Sequence, residues 1–313
     1  MRLYIKANSI KILKNLPTLL PNANAKTAYH LDKQSPLEYK NNLASASVLE
    51  EQKEKLFFSD KSLASLVKGI YFGNNSCEHL LPSIVDIMEA QQLCREKHYN
   101  FVFVFPPLSH FKSEETSFIL THLAKEPQCE VVVNDIGTLH LALEHPTLKP
   151  ILGLNFTKVI KNAFIDNITP TDLSSTQFAS QQALAKHCEF EVSEVRGFYK
   201  SMGVGRFAIE NTNLSVDFLD TAPKMQCDFY YPYISLANSK ACDIAGLFDD
   251  QRGYFVQEEC PKYCNYISLE FEHNNILGLH QRYNTINKSK TSLELSDIIS
   301  KGSKHRLVWE VFL

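Results

Sequence analysis

No glycine-rich phosphate loop occurs in the 313 residues: neither G-x-G-x-x-G nor G-x4-G-K-[ST] is present. That removes the usual phosphate-cradling signatures of open, doubly wound α/β sheets. There is no G-x-S-x-G elbow and no H-E-x-x-H, and the eleven histidines are scattered without ligand spacing. Nothing here supports a serine, cysteine or zinc protease. No apolar run approaches the length of a membrane span. Charge of one sign is not in excess either: the net charge is −3, which gives no general argument for a nucleic-acid surface. The opening MRLYIKANSIKILKNL scatters lysines among apolar residues and has no small-residue cleavage site, so no secretory leader is read there. Eight cysteines spread through such a chain indicate a reducing, cytoplasmic setting with some metal-binding thiolates rather than a disulfide framework.

Three of those cysteines form the most informative stretch. Cys242, Cys260 and Cys264 are spaced C-x17-C-x3-C among aromatic and polar residues, including Tyr254, Pro261 and Tyr263. A metal ion or iron–sulfur cluster needs several thiolates converging on one small volume, and the tight Cys260–Cys264 loop supplies two. Zinc accepts such a close pair as well. Reduced core cysteines plus an exposed pair are the alternative. Cys94 and Cys129 read as packing residues and Cys188 is undetermined. Cys77 and Cys227 are rivals for a fourth ligand.

The rest of the chain alternates strands and helices. RLYIK (Arg2 to Lys6), GIYF (Gly69 to Phe72), FVFVF (Phe101 to Phe105), EVVV (Glu130 to Val133), ILGL (Ile151 to Leu154), Arg206 to Ile209, Val216 to Leu219 and Arg306 to Phe312 read as strands. Helices are expected over Ser9 to Leu20, broken at Pro17, and over Leu81 to Lys97 with Leu81, Ile84, Val85 and Met88 on its apolar face. Others are expected over Glu114 to Lys125, Gly137 to Glu144 and Ser175 to His187. A last one, capped by Ser193, has Val195, Phe198, Tyr199 and Met202 as its apolar face and closes at Gly203. Residues 21–60 are polar and read as an insertion with one short helix near Val48 to Lys55. Continuous apolar strands alternating with helices predict a parallel sheet covered on both faces. Without phosphate loops, the expected architecture is a single (β/α) barrel-like domain over 1–313, with a cysteine-bearing region at 226–290.

In a parallel barrel, chemistry gathers at the carboxyl ends of the strands. Those positions hold Asn74 and Cys77, Asn134 and Asp135, Asn155, Glu210, Tyr231 and Tyr233. Each Asn or Asp alone is most simply a loop cap. Together they read as a pocket lining, with Asn134, Asp135 and Glu210 as candidate substrate contacts.

GIYFGNNSC (Gly69 to Cys77), VVVNDIGTLHLALEH (Val131 to His145), HPTLKPILGLNF, and the run from YPYISLANSKACDIAG to CPKYC resemble the collagenase-like peptidase family U32. The resemblance is to its short subgroup, which contains accessory proteins of oxygen-independent ubiquinone hydroxylation. It covers roughly residues 66–312. It implies a barrel-like fold and a [4Fe–4S] cluster on Cys77, Cys242, Cys260 and Cys264. It also implies a role in hydroxylating a quinone precursor or an RNA base, alongside a paralogous partner of the same family. Asn74 and Asn75 stand where the ubiquinone-type proteins carry a glutamate and its neighbour. The Cys242–Cys260 spacing is longer than in those proteins, and the insertion at 21–60 is foreign to the subgroup.

Overall fold

The computed structural model describes residues 2–19, 67–157, 187–210, 217–231, 233–239, 242–246, 260, 262–265, 269–273, 276–282, 285–289 and 304–310. The expected insertion at 21–60 and the helix at Ser175 to His187 lie outside these residues, apart from His187 itself.

The strands are β1 (Arg2–Ala7), β2 (Val67–Gly73), β3 (Asn100–Val104), β4 (Glu130–Val133), β5 (Lys149–Leu152), β6 (Arg206–Glu210), β7 (Gln226–Tyr231), β8 (Tyr233–Asn238), β9 (Leu269–His273), β10 (Ile276–Arg282), β11 (Thr285–Ser289) and β12 (Arg306–Glu310). Eight of them close a barrel in the order β1-β12-β7-β6-β5-β4-β3-β2. All the pairings around it are parallel. The expected (β/α) barrel-like fold is therefore present. The remaining four strands form a separate sheet, β8-β11-β10-β9, with antiparallel pairings. This small sheet is inserted between the seventh and eighth barrel strands. Of the cysteine-bearing stretch at 226–290, Gln226–Tyr231 belongs to the barrel, and the excursion begins after it.

The helices are α1 (Ile10–Leu19), α2 (Ile84–Glu96), α3 (Ser113–Leu123), α4 (Ile136–Leu143), α5 (Ser193–Ser201) and the short α6 (Asp243–Gly246). Among the described residues, no helix is long and apolar enough to cross a membrane.

Strand alternation builds two distinct cores, because successive side chains point to opposite faces. In β3, Phe103 faces the helices while Val102 and Val104 face the barrel axis. The same parity sends Leu3, Ile5, Val131, Val133, Phe207, Ile209, Phe229, Leu307 and Trp309 outward. Tyr4, Tyr71, Val132, Ile151, Ala208, Tyr230 and Val308 pack inside.

Several local readings are corrected. α1 runs through Pro17 without ending there. α2 begins at Ile84, not Leu81, because Ser83 and Asp86 form a reciprocal capping box that starts the helix after Pro82. Its buried face is Ile87, Ala90, Gln91 and Cys94. Val85 and Met88 are 68% and 52% exposed, since the helix is rolled about one position from the expected stripe. In α5 the cap position is Val192, and the Ser193 hydroxyl bonds Glu194 instead. Gly203 closes α5 as expected, at φ +86. Phe198 is exposed, and the buried member of that helix is Arg196. Arg196 donates to the carbonyls of Phe190, Glu191, Ala222 and Pro223 and to Thr221 Oγ1. The expected strand at Val216 to Leu219 is a single 3-10 turn over Asp217–Asp220.

Candidate metal centre at the barrel mouth

The sequence Gly73-Asn74-Asn75-Ser76-Cys77 carries the chain out of β2 at the carboxyl end of the barrel. Gly73 sits at φ +130, and a Cβ there would meet the Val104 carbonyl oxygen at 2.2 Å. Only glycine fits this left-handed, close-approach position. Gly73→Ala is expected to destabilise the protein by about 2 kcal/mol or more. Urea denaturation of the variant checks this.

Asn74 then fixes the cysteine. Its buried Oδ1 accepts from the Ser76 and Cys77 backbone N–H groups, both at 2.8 Å, and from Ser76 Oγ at 3.2 Å. This Asx-type turn aims Cys77 away from the strand and into a small cluster of its own.

That cluster joins Cys77, Tyr233, Ile244 and Cys264, with Leu80 and Cys242 packed against it. It is separate from both barrel cores. Cys264 lies in a 3-10 turn over Tyr263–Asn265, entered through Lys262 at φ +58. The Lys262 N–H donates to Cys260 Sγ at 3.4 Å. Thus the first cysteine comes from the β2 loop, one from the start of α6, and two from the tight turn.

Burial dominates the two buried thiols of the nest. Burial pushes the Cys77 thiol up to about 11; neighbouring backbone N–H groups pull it back, and Cys260 and Cys242 raise it further. Burial pushes Cys264 up to about 12, with Cys77, Cys242 and Cys260 each adding to the rise. The disfavoured thiolate forms of Cys77 and Cys264 are what a nearby cationic group would relieve. Among the described residues, however, no three His, Cys, Asp or Glu side chains are gathered in a set able to hold a metal ion.

Cys227, the rival ligand, is elsewhere. It lies in β7, fully buried in the outer core, and its backbone N–H donates to His305 Nδ1 at 3.1 Å. Cys94, Cys129 and Cys188 are in that same core.

Of the three candidate substrate contacts, Asn134 and Asp135 serve the loops. Asn134 Nδ2 donates to the Phe105 carbonyl at 2.7 Å. A Cβ on Gly153 would meet Asn134 Oδ1 at 2.2 Å. Asp135 caps α4 through the Thr138 N–H at 2.7 Å and accepts from the Leu108 N–H at 3.0 Å. Glu210 is different. It is buried at the end of β6, and its Oε1 accepts from the Ser235 N–H of β8 at 3.0 Å.

Sequence reading passed over the polar residues beside Glu210. Lys6 Nζ and Glu310 Oε1 form a buried ion pair at 2.8 Å. Asn75 Nδ2 donates to the same carboxylate oxygen at 3.3 Å. Tyr230 projects inward beside them, fully buried. The available signal was parity: Lys6 shares the inward face of β1 with Tyr4, and Glu310 that of β12 with Val308.

Fold and site together define a closed parallel barrel with a cysteine-lined nest at its carboxyl mouth. Comparison with protein-family models, curated proteins and solved structures finds no match for the chain.

Proposed function

We propose that the chain is an iron–sulfur protein of the U32 type, with a [4Fe–4S] cluster on Cys77, Cys242, Cys260 and Cys264. In this reading it is a component of an oxygen-independent hydroxylation system acting in the cytoplasm on a quinone precursor or an RNA base. It works as an accessory or catalytic subunit beside a paralogous partner, and peptidase activity is not expected. One observation carries the reading: the loop after β2, the start of α6 and the 262–265 turn bring Cys77, Cys242 and Cys264 together at the barrel mouth, with Cys260 Sγ accepting from the Lys262 N–H beside them. A polynuclear group, in which each thiolate binds its own iron, and a single zinc with sulfurs at about 2.3 Å both draw on such a set of thiols, and the resemblance to the U32 family favours the cluster.

When bound, the cluster would supply electron transfer or activation of an oxygen donor other than O2. The chain's own residues do the rest. Asn74 orients the Cys77 loop, the Lys262 N–H bonds the Cys260 sulfur, and Tyr233 and Ile244 shield the nest.

A structural zinc staple held by the same four cysteines is the second reading, favoured by the way the nest ties α6 and the 262–265 turn onto the β2 loop. Anaerobic purification with iron, acid-labile sulfide and zinc analysis separates the two. The cluster reading expects about four irons and four sulfides per chain and a brown colour that bleaches in air. One zinc and no iron would replace it with the staple, and removal of that zinc should then unfold the protein.

A further inference from the structure

Three tyrosines stand ring against ring inside the barrel. Tyr4, Tyr71 and Tyr230 are fully buried and share the inner core. Ring centroids are 5.5 Å apart for Tyr4 and Tyr71 and 6.2 Å apart for Tyr71 and Tyr230, each pair edge to face, which is direct aromatic contact. At one end the Tyr230 hydroxyl is hydrogen-bonded to the Asn75 side chain, in the loop that leads to Cys77. At the other the Tyr4 hydroxyl accepts from Nδ2 of the exposed Asn100 at 3.0 Å. Asn100 is the first residue of β3. The three rings therefore link the carboxyl mouth of the barrel to its amino end. Phenylalanine and aliphatic side chains would fill the same space without burying a carboxylate among them.

Tyr71, the middle ring, is set apart by its partners. Its hydroxyl donates to Asp228 Oδ2 and accepts from Arg306 Nη1 at 2.8 Å. Arg206 Nη1 holds the other carboxylate oxygen, Oδ1, at 2.5 Å, which leaves Oδ2 turned to the phenol. A buried phenol gives up an electron far more readily when a base takes its proton, because the product is then a neutral radical and not a cation in a low-dielectric interior. Tyr230 bonds an amide, which takes no proton. A cation over a ring opposes removal of an electron from it, and Arg306 lies over Tyr4 at 4.5 Å but over Tyr71 at 6.0 Å. Of the three rings, Tyr71 is the one equipped to hold an electron vacancy.

We propose that Tyr71 is a redox-active tyrosine that gives up one electron while its proton passes to Asp228, with Tyr4 and Tyr230 as the rings through which the electron travels. One electron leaves the Tyr71 ring for a high-potential one-electron oxidant, which is reduced. The phenolic O–H bond breaks and a new O–H bond forms on Asp228 Oδ2. The products are a neutral phenoxyl radical and a neutral carboxyl group, and re-reduction returns the proton along the same hydrogen bond. Burial keeps outside reductants from the radical, so it is long-lived. The step needs no metal in the cysteine nest and stands apart from the function proposed above.

The test uses the anaerobically purified full chain, with iron content matched across samples. The oxidant is a ruthenium(III) tris-bipyridine complex generated by a laser flash in the presence of a cobalt(III) ammine. Transient absorption and electron paramagnetic resonance follow the radical. A tyrosyl signal that outlives those of surface tyrosines is expected, and it is expected to be lost in Tyr71→Phe. Tyr231→Phe, whose ring belongs to the outer core, should keep it. Asp228→Asn keeps the shape but removes the base, so the radical should decay at least about ten-fold faster, the equivalent in rate of one charge-assisted hydrogen bond. Near-UV circular dichroism checks the fold of each variant. On the unaltered chain, fully exchanged heavy water should slow radical formation, because the proton moves with the electron; this measurement decides even where a variant does not fold. No persistent tyrosyl radical, persistence in folded Tyr71→Phe, or equal rates in heavy and light water would overturn the proposal and leave the tyrosines as barrel filling.

Discussion

Replacing Cys77 with serine is expected to cut iron from about four per chain to less than about one, while Cys227→Ser keeps the full complement. Both are buried cysteines associated with barrel strands, so the contrast depends on direction, not depth. Cys77 follows Gly73 out of the barrel and is turned by Asn74 into the nest with Cys264 and Cys242. Cys227 points from β7 into the outer core with Cys188 and Phe207. Burial, followed by the nearby Asp228, raises its thiol well above the ordinary range, which makes it an inert packing residue. Serine at Cys227 costs packing and stability but removes no ligand. Iron and sulfide assays with visible spectra of the anaerobically purified variants decide the matter. A fully loaded Cys77→Ser protein would remove Cys77 from the ligand set.

The barrel was legible because its signal is local. FVFVF and EVVV are apolar on both faces, and only a sheet covered on both sides uses such strands. Repetition of strand–helix units left a closed barrel and an open sheet as alternatives, and the missing phosphate loops favoured the barrel. The antiparallel sheet of β8 to β11 was not legible. Segments such as LEFEH and TINKS mix charge with apolar residues and carry no run that distinguishes a strand from a loop, so pairing with distant segments decides their state. The cysteine trio stood out by spacing, yet spacing could not choose between Cys77 and Cys227 as companion. That choice was open because both lie beside barrel strands, and only the turn at Asn74 separates their directions. The interior polar arc was hidden for another reason. Lys6 and Glu310 sit at strand ends, where a charged residue ordinarily marks emergence into water. Here Lys6 pairs with Glu310, and Asn75 from the loop after β2 donates to the same carboxylate, so the charges stay buried.

Asp228→Leu is expected to cost about 3–5 kcal/mol, the largest stability effect of any single interior substitution considered. Asp228 is fully buried midway along β7. Its Oδ1 accepts from Arg206 Nη1 at 2.5 Å, and its Oδ2 takes a short hydrogen bond from the Tyr71 hydroxyl. Arg306 Nη1 donates to that same hydroxyl at 2.8 Å, while Arg306 Nη2 holds both Glu130 oxygens, at 2.9 and 2.8 Å. Two arginines thus balance two carboxylates within the barrel, and burial followed by the adjacent Asp228 raises Tyr71 well above its usual range. Removing the Asp228 charge leaves Arg206 buried with one acceptor fewer and strips Tyr71 of its acceptor. The loss therefore includes the desolvation of what remains, not only the broken pair. The double variant Asp228→Leu with Arg206→Met removes both charges and restores apolar packing, so it should recover more than half of the single variant's loss. Urea midpoints and thermal unfolding measure this, with Tm falling by about 6 °C or more in the single variant. A single variant losing less than about 1 kcal/mol would mean that water or a neighbouring donor replaces Asp228 inside the barrel. The interior charges would then not be what holds the eight strands in register.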